Sequence, residues 1–515
     1  MNTDRSTAPA SRALLVFFLA LVPGLLLATQ EPPIKNLPDR ITAVEALNEQ
    51  IAQAAEKVNK EDWTAALPLL EAVIESPVFD DIPVERRHAL LTSASGVALQ
   101  LHENNVAQGY ARRACAMPHP ATIDWQVLLY SSFGLDDMTE SAVALTQIAK
   151  QTPKALADIK DAAIFRILNE IKKSEISQSV DLLEALYRAD WKIDGLFEPS
   201  SEWRDYALAL LERGRVNEAK QVTLRIRQPS VLISMRVDKR FDQIAKSSPE
   251  LFNIDKAVDT DIANLREIVR KSPRSLQSVI ELTYALLKAR HYDEVLSITD
   301  AVMQKANDRG SSKSAYDDVN DSLIWILNNR AIALGGLGRR DEELKLLIRA
   351  ARRPEHGEPN VSQAINIGQF YCDLGRPRDA LFAILDVEKT SPYGQLQVET
   401  VHLCAALQLN DKDAAASALD YIKDHQADSP RTYQGALIAA EDIDSAAALL
   451  IQRLNTSSMR GDALTEIQNY VDPTDLSWPV KSRERFRALV SRDDVRQTIN
   501  KVGRIESFNL RSDLP

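Results

Sequence analysis

The side chains here with the means to do chemistry are seven histidines, three cysteines and 73 acidic residues in a chain of 515. The histidines are His88, His102, His119, His291, His356, His402 and His425. None falls in HExxH or another metal-ligand spacing, and no cysteine sits beside one at zinc-site spacing, so no metal is expected. There is no GxxxxGK[ST] loop to cradle a phosphate and no GxSxG turn to expose a serine nucleophile. A pair of carboxylates could act as acid and base from distant positions, but nothing in the pattern selects two among 73. No cofactor is implied, and the chain reads as a non-enzyme.

Cys115, Cys372 and Cys404 are odd in number and widely spaced, which is not a disulfide framework. Cys372 and Cys404 fall on successive units of a helical pattern described below. Both are expected near one face, where they could meet as a disulfide if the chain is exported, or stay as buried thiols.

The elements that would have to position such residues are helical. Leu and Ala are abundant, only 17 Gly occur, and strand-like runs are few. The clearest stretch is Ile365 to Pro392, INIGQFYCDLGRPRDALFAILDVEKTSP. Gly368, Tyr371 and Leu374 make one helical stripe. Gly375 is placed to end that helix, and Pro377 suits the first turn of the next. Ala380, Leu381, Ile384 and Leu385 form a second stripe, and Pro392 closes the unit. Small residues at Gly368 and Ala380 would let the two helices approach closely.

This stretch resembles a tetratricopeptide (TPR) repeat through Gly368, Tyr371, Leu374, Gly375, Ala380 and Pro392. The resemblance implies an all-α, TPR-like solenoid of helix–turn–helix units about 34 residues long. Positions equivalent to Ala380 recur at Ala66, Gly109, Ser141, Ser179, Ala219, Val295, Glu343, Ala415 and Ala447. One further pair is expected in the double gap between Ala219 and Val295. Trp125 and Trp203 each stand 16 residues before their anchors, and Gly214 and Gly338 repeat the turn glycine. Asp308 to Asp321 reads as a loop insertion.

The expected organisation has four parts. Residues 1–30 carry an apolar run, Ala13 to Ala28, behind Arg5 and Arg12. They read as a signal peptide cleaved near Ala28 or as an uncleaved N-terminal membrane anchor. Residues 31–40 hold three prolines and read as an extended linker. The array spans 41–458. Residues 459–515 are expected to cap it, with one helical stripe through Phe486, Leu489, Val490, Val495, Ile499 and Val502. From Lys481 onward nine Lys/Arg face five Asp/Glu. The alternative to a cap is a basic tail that docks on an acidic partner or headgroup.

A net charge of −11 and a pI near 5.4 argue against a nucleic-acid partner. The resemblance implies a groove, lined by the first helices of the units, that binds another protein or peptide. Carried onto this chain, that face comprises Tyr130, Phe133, Arg204, Tyr284, Lys288, Trp325, Asn328, Gln369 and Asp373. The Lys/Asn set of a carboxylate clamp is not found. The expectation is a scaffold or adaptor in the periplasm or an equivalent space of bacterial type, touching membrane only through residues 13–28. The alternatives are a membrane-anchored structural component of an envelope export or polysaccharide-assembly machine, or an enzyme without a recognisable motif.

Overall fold

The computed structural model describes residues 37–511 except 175, 307–314, 354–359, 388–389 and 472–475. Residues 1–30, expected to be a signal peptide or anchor, lie outside the described residues. The expected linker is shorter than its prolines imply, because α1 opens at Leu37 with Pro38 in its first turn. Proline is tolerated there because the first turn's N–H groups have no partner within the helix.

Two compact units divide at Tyr206/Ala207, where the sequence had pointed to a single array and a cap. The N-terminal unit holds α1 (Leu37–Asn59), α2 (Trp63–Ile74), α3 (Val84–Gln100), α4 (Asn104–Cys115), α5 (Thr122–Gly134), α6 (Met138–Gln151), α7 (Asp161–Ser174), α8 (Ile176–Arg188) and the first half of α9 (Ser200–Glu212). The C-terminal unit continues through α10 (Val216–Thr223), α11 (Pro229–Val237), α12 (Asp242–Ser247), α13 (Ile254–Lys271), α14 (Leu276–Lys288), α15 (Tyr292–Ala306), α16 (Val319–Gly336), α17 (Arg340–Ala351), α18 (Val361–Asp373) and α19 (Pro377–Ala383). It then runs through α20 (Pro392–Leu409), α21 (Lys412–Asp424), α22 (Pro430–Ala439), α23 (Ile443–Asn455), α24 (Ser457–Glu466), β1 (Asn469–Val471), α25 (Ser477–Ser491), α26 (Asp493–Val502) and β2 (Ser507–Arg511). In each unit helix–turn–helix pairs stack on their neighbours, the all-α solenoid expected from sequence.

One turn builds nearly all the pairs. A residue with left-handed backbone follows the first helix at Glu61, His102, Asp136, Gly214, Arg290, Gly338, Gly375, Asn410 and Glu441. The next residue's N–H then bonds back five residues, as in Asp62→Lys57, Glu103→Ala98, Arg376→Tyr371 and Asp442→Leu437, at 2.8–3.0 Å. This is the Schellman closure that satisfies the last carbonyls of a helix. Asp62, Asp137, Asp411 and Asp442 stand directly after the left-handed residue and cap the second helix, accepting the N–H of Ala65, Glu140, Ala414 and Ser445. Each such cap contributes about 1 kcal/mol.

Ala66, Ser141, Ser179, Ala219, Val295, Glu343, Ala380 and Ala415 each lie three residues into a second helix, as their alignment required. Gly109 does not. It faces solvent, and the equivalent position is the buried Ala107. Ala446, one residue before Ala447, holds the matching place in α23. Gly368 does sit where two helices close in, since a Cβ there would lie 3.4 Å from the Ala380 carbonyl and 3.0 Å from Ile384. Pro392 opens α20 rather than closing the unit before it. The second helix of that unit stops at Ala383, which leaves Leu385 71% exposed instead of in the stripe.

The hidden pair between Ala219 and Val295 is not a regular unit. α11 is buried on nearly every side and packs on α13 and on α24, more than 200 positions later. The C-terminal residues explain this. They do more than cover the last helix pair. The expected single helix breaks at Arg492 into α25 and α26. Val495, Ile499 and Val502 of α26 pack the end of the array at α23. Beyond it the chain returns to the start of the unit. Arg504 donates to the Arg236 carbonyl at 2.6 Å and pairs with Asp242, its N–H bonds the Val237 carbonyl at 3.0 Å, and Arg236 pairs with Glu506 at 2.7 Å. The basic residues expected to seek an acidic partner thus reach carboxylates of their own chain, Arg485 on Glu441 and Arg492 on Asp444 at 2.7 Å.

Residues 308–314 of the polar insertion lie outside the described residues, and those that follow them do more than connect two helices. Its last residues cap α14 from outside, where Asp318 accepts the N–H of Leu276 and Gln277 at 2.8 and 2.9 Å. Tyr316 joins the core beside Leu276, Val279 and Val302.

Candidate functional site

Three successive first helices of the C-terminal unit carry most of the expected groove residues. α14 presents Tyr284 and Lys288, α16 Trp325 and Asn328, and α18 Gln369 and Asp373, each pair at i, i+3 or i, i+4 spacing on one helix face. Tyr284 is 49% exposed and Trp325 37% exposed, so neither is core. Burial by the surrounding protein nevertheless raises the Tyr284 hydroxyl above the ordinary range.

The ridge is tied together by polar contacts. Asn366 Nδ2 donates to Asn328 Oδ1 at 3.1 Å, and Gln369 Nε2 to Asp373 Oδ1 at 3.4 Å. The Lys288 ammonium stands 5.2 Å over the Tyr284 ring. Burial, with Arg511 and Arg431 adding repulsion, pulls Lys288 down to about 7. Burial pushes Asp373 up to about 7 against the Gln369 hydrogen bond, and Glu343 adds to it while Arg340 and Arg483 oppose. Two groups of opposite sign on one face thus titrate near neutrality. The chain's own C-terminal residues pack on these same helices. β2 packs on α14, α25 on α18, and Trp478 and Leu476 join the clusters around Cys372 and Phe370.

The remaining three groove residues belong to the N-terminal unit. The Tyr130 hydroxyl donates to the Asp158 carbonyl at 3.4 Å, and Phe133 lies 4.9 Å beneath the Arg166 guanidinium, which pairs with Asp136 at 2.7 Å. Arg204 is engaged with Asp205, which Lys172 also holds at 2.7 Å. Burial works against that carboxylate's charge, yet the two cations keep Asp205 below its usual range.

Cys372 and Cys404 do meet, but inside the core between α18 and α20 rather than on the groove face. Both are thiols. Cys372 donates to the Val401 carbonyl at 3.8 Å, and Gln408 reaches Cys404 at 3.2 Å. A hydrogen bond with Cys372 and then burial drive the Cys404 thiol far above its ordinary range, so Cys404 is not primed as a nucleophile. Cys115, on α4, is raised chiefly by burial. Among the described residues no group of three His, Cys, Asp or Glu is arranged to hold a metal. No described helix is long and apolar enough to cross a membrane.

Sequence patterns carried no signal for Arg504, Arg236 or Glu506, whose pairing spans more than 260 positions. Asp318 was legible only as part of a polar segment, although Asp ahead of a helix is a cap signal.

The fold and this face define a helical-repeat protein, an all-α solenoid of TPR-like helix–turn–helix pairs. No protein-family model matches the chain, and no curated protein matches it. Among solved structures it is similar to the crystal structure of the APC/C hetero-tetramer Cut9–Hcn1, at 12% identity, over 90% of this chain and 98% of that one, with a TM-score of 0.23. At that score the likeness is too slight to bear on function.

Proposed function

We propose that this chain is a non-enzymatic scaffold that binds a partner protein or peptide on the faces of its first helices, outside the cytoplasm. The observation that supports the reading is the exposure of Tyr284 and Trp325 on adjacent first helices, in line with Asn328, Gln369 and Asp373. Large aromatics left in water on an ordered ridge are the residues that most often anchor an interface. The apolar run Ala13 to Ala28 supports export, as a cleaved signal or as a tether.

The test is capture from the native source with a C-terminally tagged bait, using the wild type and the Tyr284→Ala/Trp325→Ala pair. A stoichiometric partner lost by the double variant, at nearly unchanged Tm, sustains the reading. A collapse in Tm would mean that these side chains are structural, and wild-type bait that captures nothing would count against a scaffold. The intact mass of the bait reports whether the chain begins at Met1 or near Thr29.

A further inference from the structure

In the C-terminal unit, the segment that lies on the α14 face is held lightly for a piece of its own fold. β2 pairs only with β1 among the described strands, in parallel and with an irregular register, Asn469 opposite Ser507 and Val471 opposite Arg511. Parallel pairing of two short strands is weak by itself. Along β2 the side chains alternate, Phe508 and Leu510 inward and Ser507 and Asn509 outward. Phe508 packs 5.9 Å from Tyr470 and beneath Arg236. Asn509 meets the exposed Arg290 at 3.2 Å. Arg511 is desolvated near Tyr292, Tyr284 and Glu343, with Arg340 opposing its charge, and it adds to the repulsion on Lys288. The apolar anchor is therefore two side chains, and its terminal cation is in an unfavourable setting.

We propose that the surface formed by α14 and β1 is a docking site for an extended peptide, and that residues 507–511 are its resident occupant. The partner it fits enters parallel to β1 and carries apolar residues two positions apart, in the places of Phe508 and Leu510. The observation behind this is the resident itself. It shows that the face accepts a strand, takes alternate side chains and uses main-chain pairing for the rest, the logic of strand addition. A partner of this pattern replaces β2 and leaves α25, α26 and the Arg504 contacts in place, because all of those precede the exchanged residues. The inference rests on the scaffold reading for its biological sense, but not for its test.

The test has two parts, both on the full chain. In native-state hydrogen exchange, the amides of Phe508 to Arg511 are expected to exchange at least about tenfold faster than those of Leu282 to Leu287 in α14, through opening of the segment alone. Equal rates would make the segment core and overturn the proposal. In the second part, a Phe508→Ser/Leu510→Ser variant is expected to bind a labelled peptide of residues 503–511 (GRIESFNLR) at least about tenfold tighter than wild type does. The reordered GRIESNFLR, which places the two apolar residues side by side, is expected to bind weakly. No gain in the variant, or equal binding of the reordered peptide, overturns the proposal, as does concentration-dependent exchange of the segment between two copies of the wild type. Should the variant fail to fold, the exchange rates in wild type decide the matter. Failure to capture a partner from the native source would remove the scaffold reading and leave both measurements standing.

Discussion

The N-terminal and C-terminal units are built from the same turn but closed in different ways. From α1 to α8 each helix packs on those next to it in sequence, and ion pairs such as Lys172–Asp205 and Arg166–Asp136 join positions a few tens of residues apart. The C-terminal unit adds contacts that span most of its length, Arg504 to Asp242 and Arg240 to Ser457. In a stack of repeats, stability is close to a sum over neighbours, and unfolding can proceed in pieces. A closing contact makes the pieces interdependent, at the cost of a long loop that must be ordered first. The N-terminal unit should therefore behave as a run of local elements and the C-terminal unit, apart from residues 507–511, as one cooperative body.

The sharpest way to break that contrast is at Gly503. A Cβ there would stand 2.5 Å from Leu464 and 2.6 Å from the Val237 carbonyl, and the backbone on that side has nowhere to go. Gly503→Val is expected to cost about 4 kcal/mol and to lower melting of the whole C-terminal unit. The N-terminal transition should not move. Calorimetry with hydrogen exchange resolves the two, and equal shifts in both would end the idea of independent units.

The counterpart in the N-terminal unit is Asp124. This buried carboxylate accepts from His88 Nε2 at 2.6 Å, from the Thr92 hydroxyl and from the Ala121 N–H at 2.7 Å, joining α3 to the start of α5. Asp124→Ala is expected to cost about 3 kcal/mol, as three hydrogen bonds to a buried charged group are lost and their half-buried donors lose that acceptor. The loss should show as faster exchange confined to α3, α4 and α5. Exchange that accelerates through the whole unit would show more cooperativity than neighbour packing allows.

A smaller effect tests the C-terminal unit through pH. Asp373 is raised to about 7 by burial, well above an unfolded aspartate. Between roughly pH 4 and 7 the folded state then holds the extra proton, so this group's contribution to stability is full at the acid end and is lost as pH rises through 7. Asp373→Asn removes the dependence. The variant is expected to match wild type near pH 3.5, below the unfolded aspartate's range, and to melt higher at pH 8, by about 2–4 °C for each kcal/mol recovered. A stabilisation that appears at both pH values would assign the effect to something other than ionisation.

What could be read from the residues followed from the range of the interactions. Helix pairs are specified by neighbours three and four apart, and anchors such as Ala66, Ser141 and Ala380 were legible from periodicity. Turn glycines at 214, 338 and 375 were equally plain, because glycine alone adopts left-handed backbone without steric cost. The groove residues came from the resemblance to TPR repeats rather than from the period, and of these Tyr284 and Trp325 are exposed. Gly109 misled because its unit puts His102, not glycine, in the turn, so nothing marked the register and Ala107 was passed over. The return of the chain to residues 236–242 was not legible at all. Arg504, Asp242 and Glu506 look like ordinary surface charges until the fold brings them together, and charge pairs carry no periodicity to announce them.

The same turn supplies the smallest and most direct comparison of the two units. Glu61 in the N-terminal unit and Glu441 in the C-terminal unit both hold left-handed backbone, at φ 55° and 63°. A glutamate in that conformation crowds its Cβ against the following carbonyl, at a cost on the order of 1–2 kcal/mol. Glycine removes the crowding but gives back part of the gain, because it frees the unfolded chain. Each residue precedes an aspartate, Asp62 or Asp442, whose cap does not depend on it. Glu61→Gly and Glu441→Gly should therefore each stabilise their own unit by about 0.5–1 kcal/mol. The Glu441 change also removes the ion pair with Arg485, through which α25 meets the end of α22. If that pair helps to hold the returning segment, Glu441→Gly will gain less than Glu61→Gly, and adding Arg485→Ala will cost the glycine variant little. Equal gains at the two sites would show that the surface pair contributes nothing measurable and that closure of the C-terminal unit rests on the Gly503–Arg504 contacts.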